Sequence, residues 1–193
     1  MSFVELVKKN RSCRRFRQDR LVDRETLATL VDAARLVASG GNRQPLRYRL
    51  VWRDAERRAV FPLTRWAGLL KDWNPSVEEQ PAAYIAVLAP VDHAGAQVDA
   101  GIAMQTIQLC ACERGIAACM LGSIDRDAIK KLLSLPKDLH LLNLVALGYP
   151  AEQAVLGSAR GQCRLLPHAR RAASCAQAPL ERSAAAGRRG LKC

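Results

Sequence analysis

Three short runs of this 193-residue chain gather side chains with chemical potential. The first is Arg11-Ser12-Cys13-Arg14-Arg15-Phe16. Guanidiniums around a hydroxyl suit a phosphate, because arginine donates in a fixed fork and stays ionised. A solvated basic run has the same composition, so the run alone leaves both readings open. The second is Ser39-Gly40-Gly41-Asn42-Arg43-Gln44-Pro45-Leu46, amide and hydroxyl side chains on a glycine turn with a rigid exit. It reads either as a plain surface turn or as neutral donors and acceptors for a polar ring or sugar chain. The third is Cys119-Met120-Leu121-Gly122-Ser123-Ile124-Asp125, where a glycine after a strand lets backbone amides approach a flat ligand. Taken together, the first two describe a site for a phosphate-bearing cofactor with a heterocycle.

Other reactive residue types carry less. No nucleophile or triad is assigned. Cys110 and Cys112 point about 200° apart on a helix and cannot face one ion, and paired zinc spacing is absent, so no metal site is expected. They read as small buried apolar groups. Cys13 beside Arg14 is a candidate reactive thiol if it is accessible. His93, His140 and His168 are isolated in the sequence, and Trp66 and Trp73, seven apart, read as packing on one helical face.

These runs need elements to hold them. Phe3 to Lys9 has a short amphipathic pattern. Asp23 is a fair cap for a helix from Arg24 to about Ala38, whose Leu27, Leu30, Val31, Ala34 and Val37 follow helical spacing. Gly40-Gly41-Asn42 and Pro45 end it. Residues 48–52 read as a strand, and 55–73 as a helix broken or kinked at Pro62. Ala82 to Ala89 is apolar without alternation, the mark of a strand covered on both faces. Val98 to Arg114 is helical and apolar almost all round, which in a chain this small suggests a subunit interface. Strand 117–121, helix 125–133 and strand 139–147 complete one α+β sandwich with no repeat or linker before Leu156.

Composition sets the outer limits. The chain carries 30 Lys and Arg against 18 Asp and Glu, a net charge of +12, with 49% apolar residues. No apolar run approaches the roughly 20 residues that span a bilayer. The opening Met1-Ser2-Phe3-Val4-Glu5 lacks a charged stretch followed by an apolar core, so a cytoplasmic protein with reduced thiols is expected. The charge is unevenly placed. Residues 157–193 hold eight basic side chains and one acidic one, Glu181, for a net of +7. That segment, rich in Ala, Arg and Gly, holds three of the seven cysteines and shows no amphipathic period. It is set apart as a basic tail behind a body at 1–156. A phosphate-neutralising arm is one reading of it, but it has no aromatic residue to stack on bases. Its composition is also that of a GC-rich gene read in a shifted frame.

Collinear motifs resemble one family. Asn10-Arg-Ser-Cys-Arg-Arg-Phe16, Ala33-Ala-Arg35 leading into Ser39-Gly-Gly-Asn42-Arg-Gln44-Pro45, Trp66-Ala-Gly-Leu-Leu-Lys71-Asp-Trp73, Asp99-Ala-Gly-Ile-Ala-Met-Gln105 and Gly115-Ile-Ala-Ala-Cys119-Met-Leu-Gly122-Ser123 are similar to the FMN-dependent nitroreductases, in the family's order, from about residue 3 to Pro150. The resemblance implies a three-layer α/β/α sandwich around a mainly antiparallel sheet, a homodimer, and FMN at the dimer interface. It implies cofactor contacts from Arg11, Ser12 and Arg14 to the phosphate and pyrimidine edge. Ser39, Asn42 and Gln44 would reach the flavin partly from the partner subunit, Leu121, Gly122 and Ser123 would lie along its N5 and O4 edge, and Lys71 would stand nearby. The implied activity is ping-pong hydride transfer from NAD(P)H to a small electron-poor acceptor, a nitroaromatic, quinone or enone, with the flavin carrying the chemistry. A flavin-binding relative with another reaction, flavin cleavage or dehalogenation, is the alternative. A basic nucleic-acid-binding protein is the third class. Asn10 and Ala38 depart mildly from the family's pattern, and nothing after Leu156 matches its partner-wrapping arm; Arg170-Arg171 is a loose substitute at most.

Overall fold

Three N-terminal side-chain caps fix where the helices begin. In this computed structural model, which describes residues 1–68, 73–93, 95–158, 165–167 and 172–177, helix α1 spans Phe3–Lys9. The Ser2 hydroxyl accepts from Glu5 N–H at 3.3 Å while the Glu5 carboxylate accepts from Ser2 N–H at 2.7 Å. Helix α2, Arg24–Arg35, starts at Asp23, whose carboxylate accepts from Thr26 N–H at 2.7 Å. It buries Leu27, Leu30 and Ala34, the stripe read from the sequence, and stops three residues earlier than the spacing predicts. Helix α5, Arg126–Leu132, is capped by Asp125 through Ala128 N–H at 3.0 Å.

Strands β1 (Arg47–Val51), β2 (Ala83–Pro90), β3 (Ala117–Leu121) and β4 (Leu139–Gly148) form one sheet in the order β1-β2-β4-β3, every pairing antiparallel. The central strands are buried on both faces, so alternation sorts their side chains between two cores. Ile85, Val87, Val145 and Leu147 face α2 and α4, the 18-residue helix Ala96–Glu113, with Leu27, Leu30 and Ile107. Tyr84, Ala86, Leu88 and Leu144 face the opposite way, toward Phe16, Val60, Trp66 and Ile129, the layer of α5 and of α3 (Asp54–Val60). Helices, sheet and helices make the expected three-layer α+β sandwich.

The helix expected over 55–73 is shorter in the structure. It ends at Val60 and tightens into a 3-10 turn at Phe61–Leu63, because Pro62 has no N–H to continue the ladder. Trp66 and Trp73 therefore do not share a helix face. Both still pack in the second core, and the Trp66 indole N–H donates to Thr64 Oγ1 at 2.8 Å. Helix α4 is not buried all round. Ala100, Ala103, Ile107 and Ala111 lie against the sheet, whereas Val98 (68% exposed) and Ile102 (39%) face outward.

Two extended pieces finish the fold. Residues 12–16, following α1, lie beside the outer edge of β3: Ser12 bridges Ala118 in parallel, Cys13 N–H donates to Ala118 C=O at 3.0 Å, and Phe16 bridges Pro150. Beyond the main sheet, β5 (Gln153–Ser158), β6 (Leu165–Pro167) and β7 (Ala172–Gln177) form a second sheet in the order β5-β7-β6. The sequence reading finds no strand after residue 157. Ladder hydrogen bonds are made by the backbone, so pairing here does not require the alternation that reading looks for.

Candidate functional site

The run after α1 lies along the sheet edge, and its side chains divide between core and surface. Cys13 and Phe16 point into the core, whereas Ser12 is exposed and Arg14 and Arg15 are half-buried. Arg11 turns back on its own helix: its guanidinium donates to Val7 and Asn10 carbonyls, each at 2.6 Å, closing the C-terminal end of α1. Arg15 pairs with Glu79 at 3.5 Å and lies 5.6 Å over the Trp73 ring. Arg14 is different. Its backbone N–H donates to Glu152 Oε1 at 2.5 Å, but its guanidinium forms no ion pair among the described residues.

Arg14 lines a cavity of about 330 Å³ with Arg65, Ala67, Gly68 and the run Cys119 to Ser123. The far wall is firmly held. Arg65 N–H donates to Ser123 C=O at 2.9 Å, and Arg126 donates to the carbonyls of Gly122 at 3.0 Å, Leu141 at 3.1 Å and Leu142 at 2.9 Å. A Cβ on Gly122 would sit 3.3 Å from Asn143 Nδ2, a tight approach to a side chain of β4. A polar cavity of about 470 Å³ adjoins the first, sharing Arg65, Gly68 and Ser123 and adding Trp66, Trp73, Asn74 and Asp125. Two arginines and a rigid strand end thus line one opening, a set of residues suited to an anionic group joined to a flat ring.

The cysteines near this opening are not reactive. Burial pushes the Cys13 thiol far above its ordinary value, Glu152 adds to the shift, and the Arg15 carbonyl accepts its S–H at 3.1 Å. Its candidacy as a reactive thiol fails on that burial. Burial likewise pushes Cys119 up to about 11, against the neighbouring Arg14 charge and a hydrogen bond with Ser12.

The polar loop lies elsewhere. Ser39 and Gln44 line a separate cavity of about 350 Å³ between α2, β1 and α4, with Val31, Leu46, Tyr48 and Asp99. Asn42 is exposed beside it. The loop is stitched internally: Asn42 N–H donates to Ser39 C=O at 2.9 Å, Gln44 N–H to Ser39 Oγ at 2.9 Å, and the Gln44 amide to Asn42 Oδ1 at 3.1 Å. Gly41, Asn42 and Gln44 all take left-handed backbone, with φ of 60°, 53° and 47°. Gly40 N–H donates to Asp99 Oδ1 at 3.0 Å.

Within one chain, therefore, Arg14, Leu121, Gly122 and Ser123 share a cavity, Ser12 adjoins them through Cys119, and Ser39, Asn42 and Gln44 belong to another surface. Arg11 lines a third cavity with Asn10, Cys112 and Glu152. Lys71 lies outside the described residues. Sequence reasoning missed Arg65 and Asp99. Asp99 stood in a motif, but its partner Gly40 is 59 residues away; Arg65 adjoined a motif at Trp66 without belonging to it.

Fold and site together define a class, the α+β sandwich with a cationic opening at the end of an edge strand. The nitroreductase family model matches residues 7–149, and the chain belongs to the nitroreductase family. It is 29% identical over 165 residues to a protein of Methanothermobacter thermautotrophicus named as an NADH dehydrogenase/NAD(P)H nitroreductase, covering 79% of each chain. A nitroreductase family protein from Clostridium difficile 630 superposes with a TM-score of 0.63 at 29% identity, over 79% of this chain and 86% of that one. The fold is shared further with a nitroreductase from Exiguobacterium sibiricum solved in complex with FMN, at a TM-score of 0.68 and 18% identity, over 84% and 94% of the two chains. Among the described residues, no helix is long and apolar enough to cross a membrane.

Proposed function

We propose that this chain is an FMN-dependent oxidoreductase that passes electrons from NAD(P)H to a small electron-poor acceptor, and that two copies complete each site. The observation that carries this reading is Arg14, in no ion pair among the described residues and lining the same cavity as Leu121, Gly122 and Ser123. An arginine without an ion pair, at an open cavity, is a poor stabiliser of the fold and a good phosphate ligand. The donor set fits FMN: Arg14 and Arg65 supply charge for the phosphate, Ser12 adds a hydroxyl, and the 121–123 backbone supplies a rigid edge for the ring. The chemistry such a flavin supplies is hydride acceptance from NAD(P)H followed by delivery to a nitroaromatic, quinone or enone.

The protein's own part is to bind, orient and exclude water. Burial of Trp66 and packing of Trp73 wall the adjoining cavity, and the held backbone at 122–125 keeps its geometry fixed. Because Ser39, Asn42 and Gln44 face a different surface of the same chain, their contact with a flavin requires a second copy. Outward-facing apolar residues support this assembly: Phe3 and Val4 on α1, packed on α4, and Val98 and Ile102 on α4 itself. Arg11 reaches a phosphate only by releasing the α1 carbonyls, so it is placed second to Arg14, and Lys71 is kept as a proposed neighbour of the ring.

Gentle purification tests the reading. A yellow protein with flavin absorption, bleached by NADH or NADPH and recoloured by an acceptor panel, is expected. Protein that cannot be loaded with FMN would refute it, and bleaching without turnover of any such acceptor would favour flavin cleavage or dehalogenation.

A further inference from the structure

Asp99 is a carboxylate in a place where an apolar side chain would cover the sheet better. It sits in the first turn of α4, 5% exposed, and its Oδ2 has no hydrogen-bond partner. The His93 Nε2 is 3.8 Å from that oxygen, beyond hydrogen-bond reach. Burying such a group is costly unless its remaining lone pairs do something specific. What Asp99 does is accept the Gly40 N–H at 3.0 Å. Among the described residues this is the hydrogen bond that joins the glycine turn to an element distant in sequence; the others are internal to the loop or come from Arg47 at the start of β1, directly after it.

The loop needs such a tether. It is exposed from Gly40 to Gln44, and it holds Asn42 and Gln44 in left-handed backbone that side chains resist. A chain in that state relaxes unless its surroundings over-determine it. We propose that Asp99 is a positioning residue: through Gly40 it fixes the loop whose Ser39, Asn42 and Gln44 reach the flavin of the partner subunit's site. This rests on the flavin reading above. Asp99 touches no reacting atom in it, and its effect on binding passes wholly through the backbone of residue 40.

The test combines backbone amide exchange with FMN titration. In the unmutated apoprotein, Gly40 N–H exchanges at least about tenfold more slowly than Gly41 N–H, as expected of a hydrogen-bonded amide. Asp99→Ala speeds Gly40 exchange about ten- to a hundredfold and weakens FMN binding by about tenfold, again the range of one such bond. Asp99→Asn keeps the acceptor and stays within about twofold of wild type in both readouts. Equal exchange of Gly40 and Gly41 in the unmutated protein overturns the tether even if the alanine variant does not fold. Unchanged FMN affinity in Asp99→Ala, or an asparagine variant that behaves like alanine, overturns the positioning role. Unmutated protein that binds no FMN refutes the flavin reading instead, and the exchange result still decides whether the tether exists.

Discussion

Replacing Gly148 by alanine is the sharpest test of how the segment bearing Arg14 is held. A Cβ at this last residue of β4 would lie 2.8 Å from Phe16 Cδ1, 3.0 Å from its Cβ and 3.1 Å from its Cγ. Contacts under 3 Å to ring carbon force something to move. Rotating the ring cannot suffice, because the Phe16 Cβ is itself too close. Its backbone is pinned by Phe16 N–H to Glu79 C=O at 3.0 Å and Arg17 N–H to Tyr149 C=O at 2.8 Å. The ring is fully buried and meets Trp66 edge-on at 6.4 Å between centroids. Overpacking of this kind costs about 2 kcal/mol. For a chain of this size that lowers Tm by about 4–8 °C. Urea unfolding followed by tryptophan fluorescence measures the cost, and Phe16→Leu identifies its source. In the leucine background the added methyl has a movable neighbour, so its cost falls by about 1 kcal/mol. A Gly148→Ala protein as stable as wild type would refute the packing argument, as would costs that simply add in the double variant.

Arg14→Gln weakens FMN binding by about tenfold or more while Arg11→Gln changes it by less than about threefold, read by quenching of flavin fluorescence; the reverse order would show that Arg11 leaves α1 to hold the phosphate. Cys119, with its thiol pushed up to about 11 from an ordinary 9.0, and Cys13, shifted further the same way, release their protons in the unfolded chain before the folded one. Stability is therefore full below about pH 9 and falls as pH rises toward 11. Urea midpoints at pH 8 and 10.5 check this, and Cys119→Ala reduces the difference while the Cys13 contribution remains. Trp66→Phe removes the indole bond to Thr64 and lowers stability by about 1 kcal/mol, measurable by thermal unfolding.

What the sequence disclosed followed from how local each signal is. Capping residues such as Asp23, the stripe of Leu27, Leu30 and Ala34, and the unbroken apolar run of β2 depend only on near neighbours, so they were legible. The helix over 55–73 was overdrawn because the spacing of Trp66 and Trp73 imitates a helical face, while Pro62 ends the ladder early. At the site, the residue types were legible and their engagements were not. Arg11 and Arg14 look alike in sequence, yet only one has helix carbonyls within reach. Asp99 and Gly40 meet across 59 residues, a relation no local pattern encodes.

The stretch from Ser12 to Phe16 also borders the open side of a strand. Strand β3 ends the main sheet, and an uncovered strand there would offer its backbone to any other extended chain. The parallel bridge of Ser12 to Ala118 and the Cys13 bond to Ala118 C=O occupy that border. The same five residues that present Arg14 thus guard against aggregation. A substitution that dislodges them should cost the protein its solubility as well as the proposed anion site, so variants in this stretch are best compared by the amount remaining in solution after mild heating before any binding is measured.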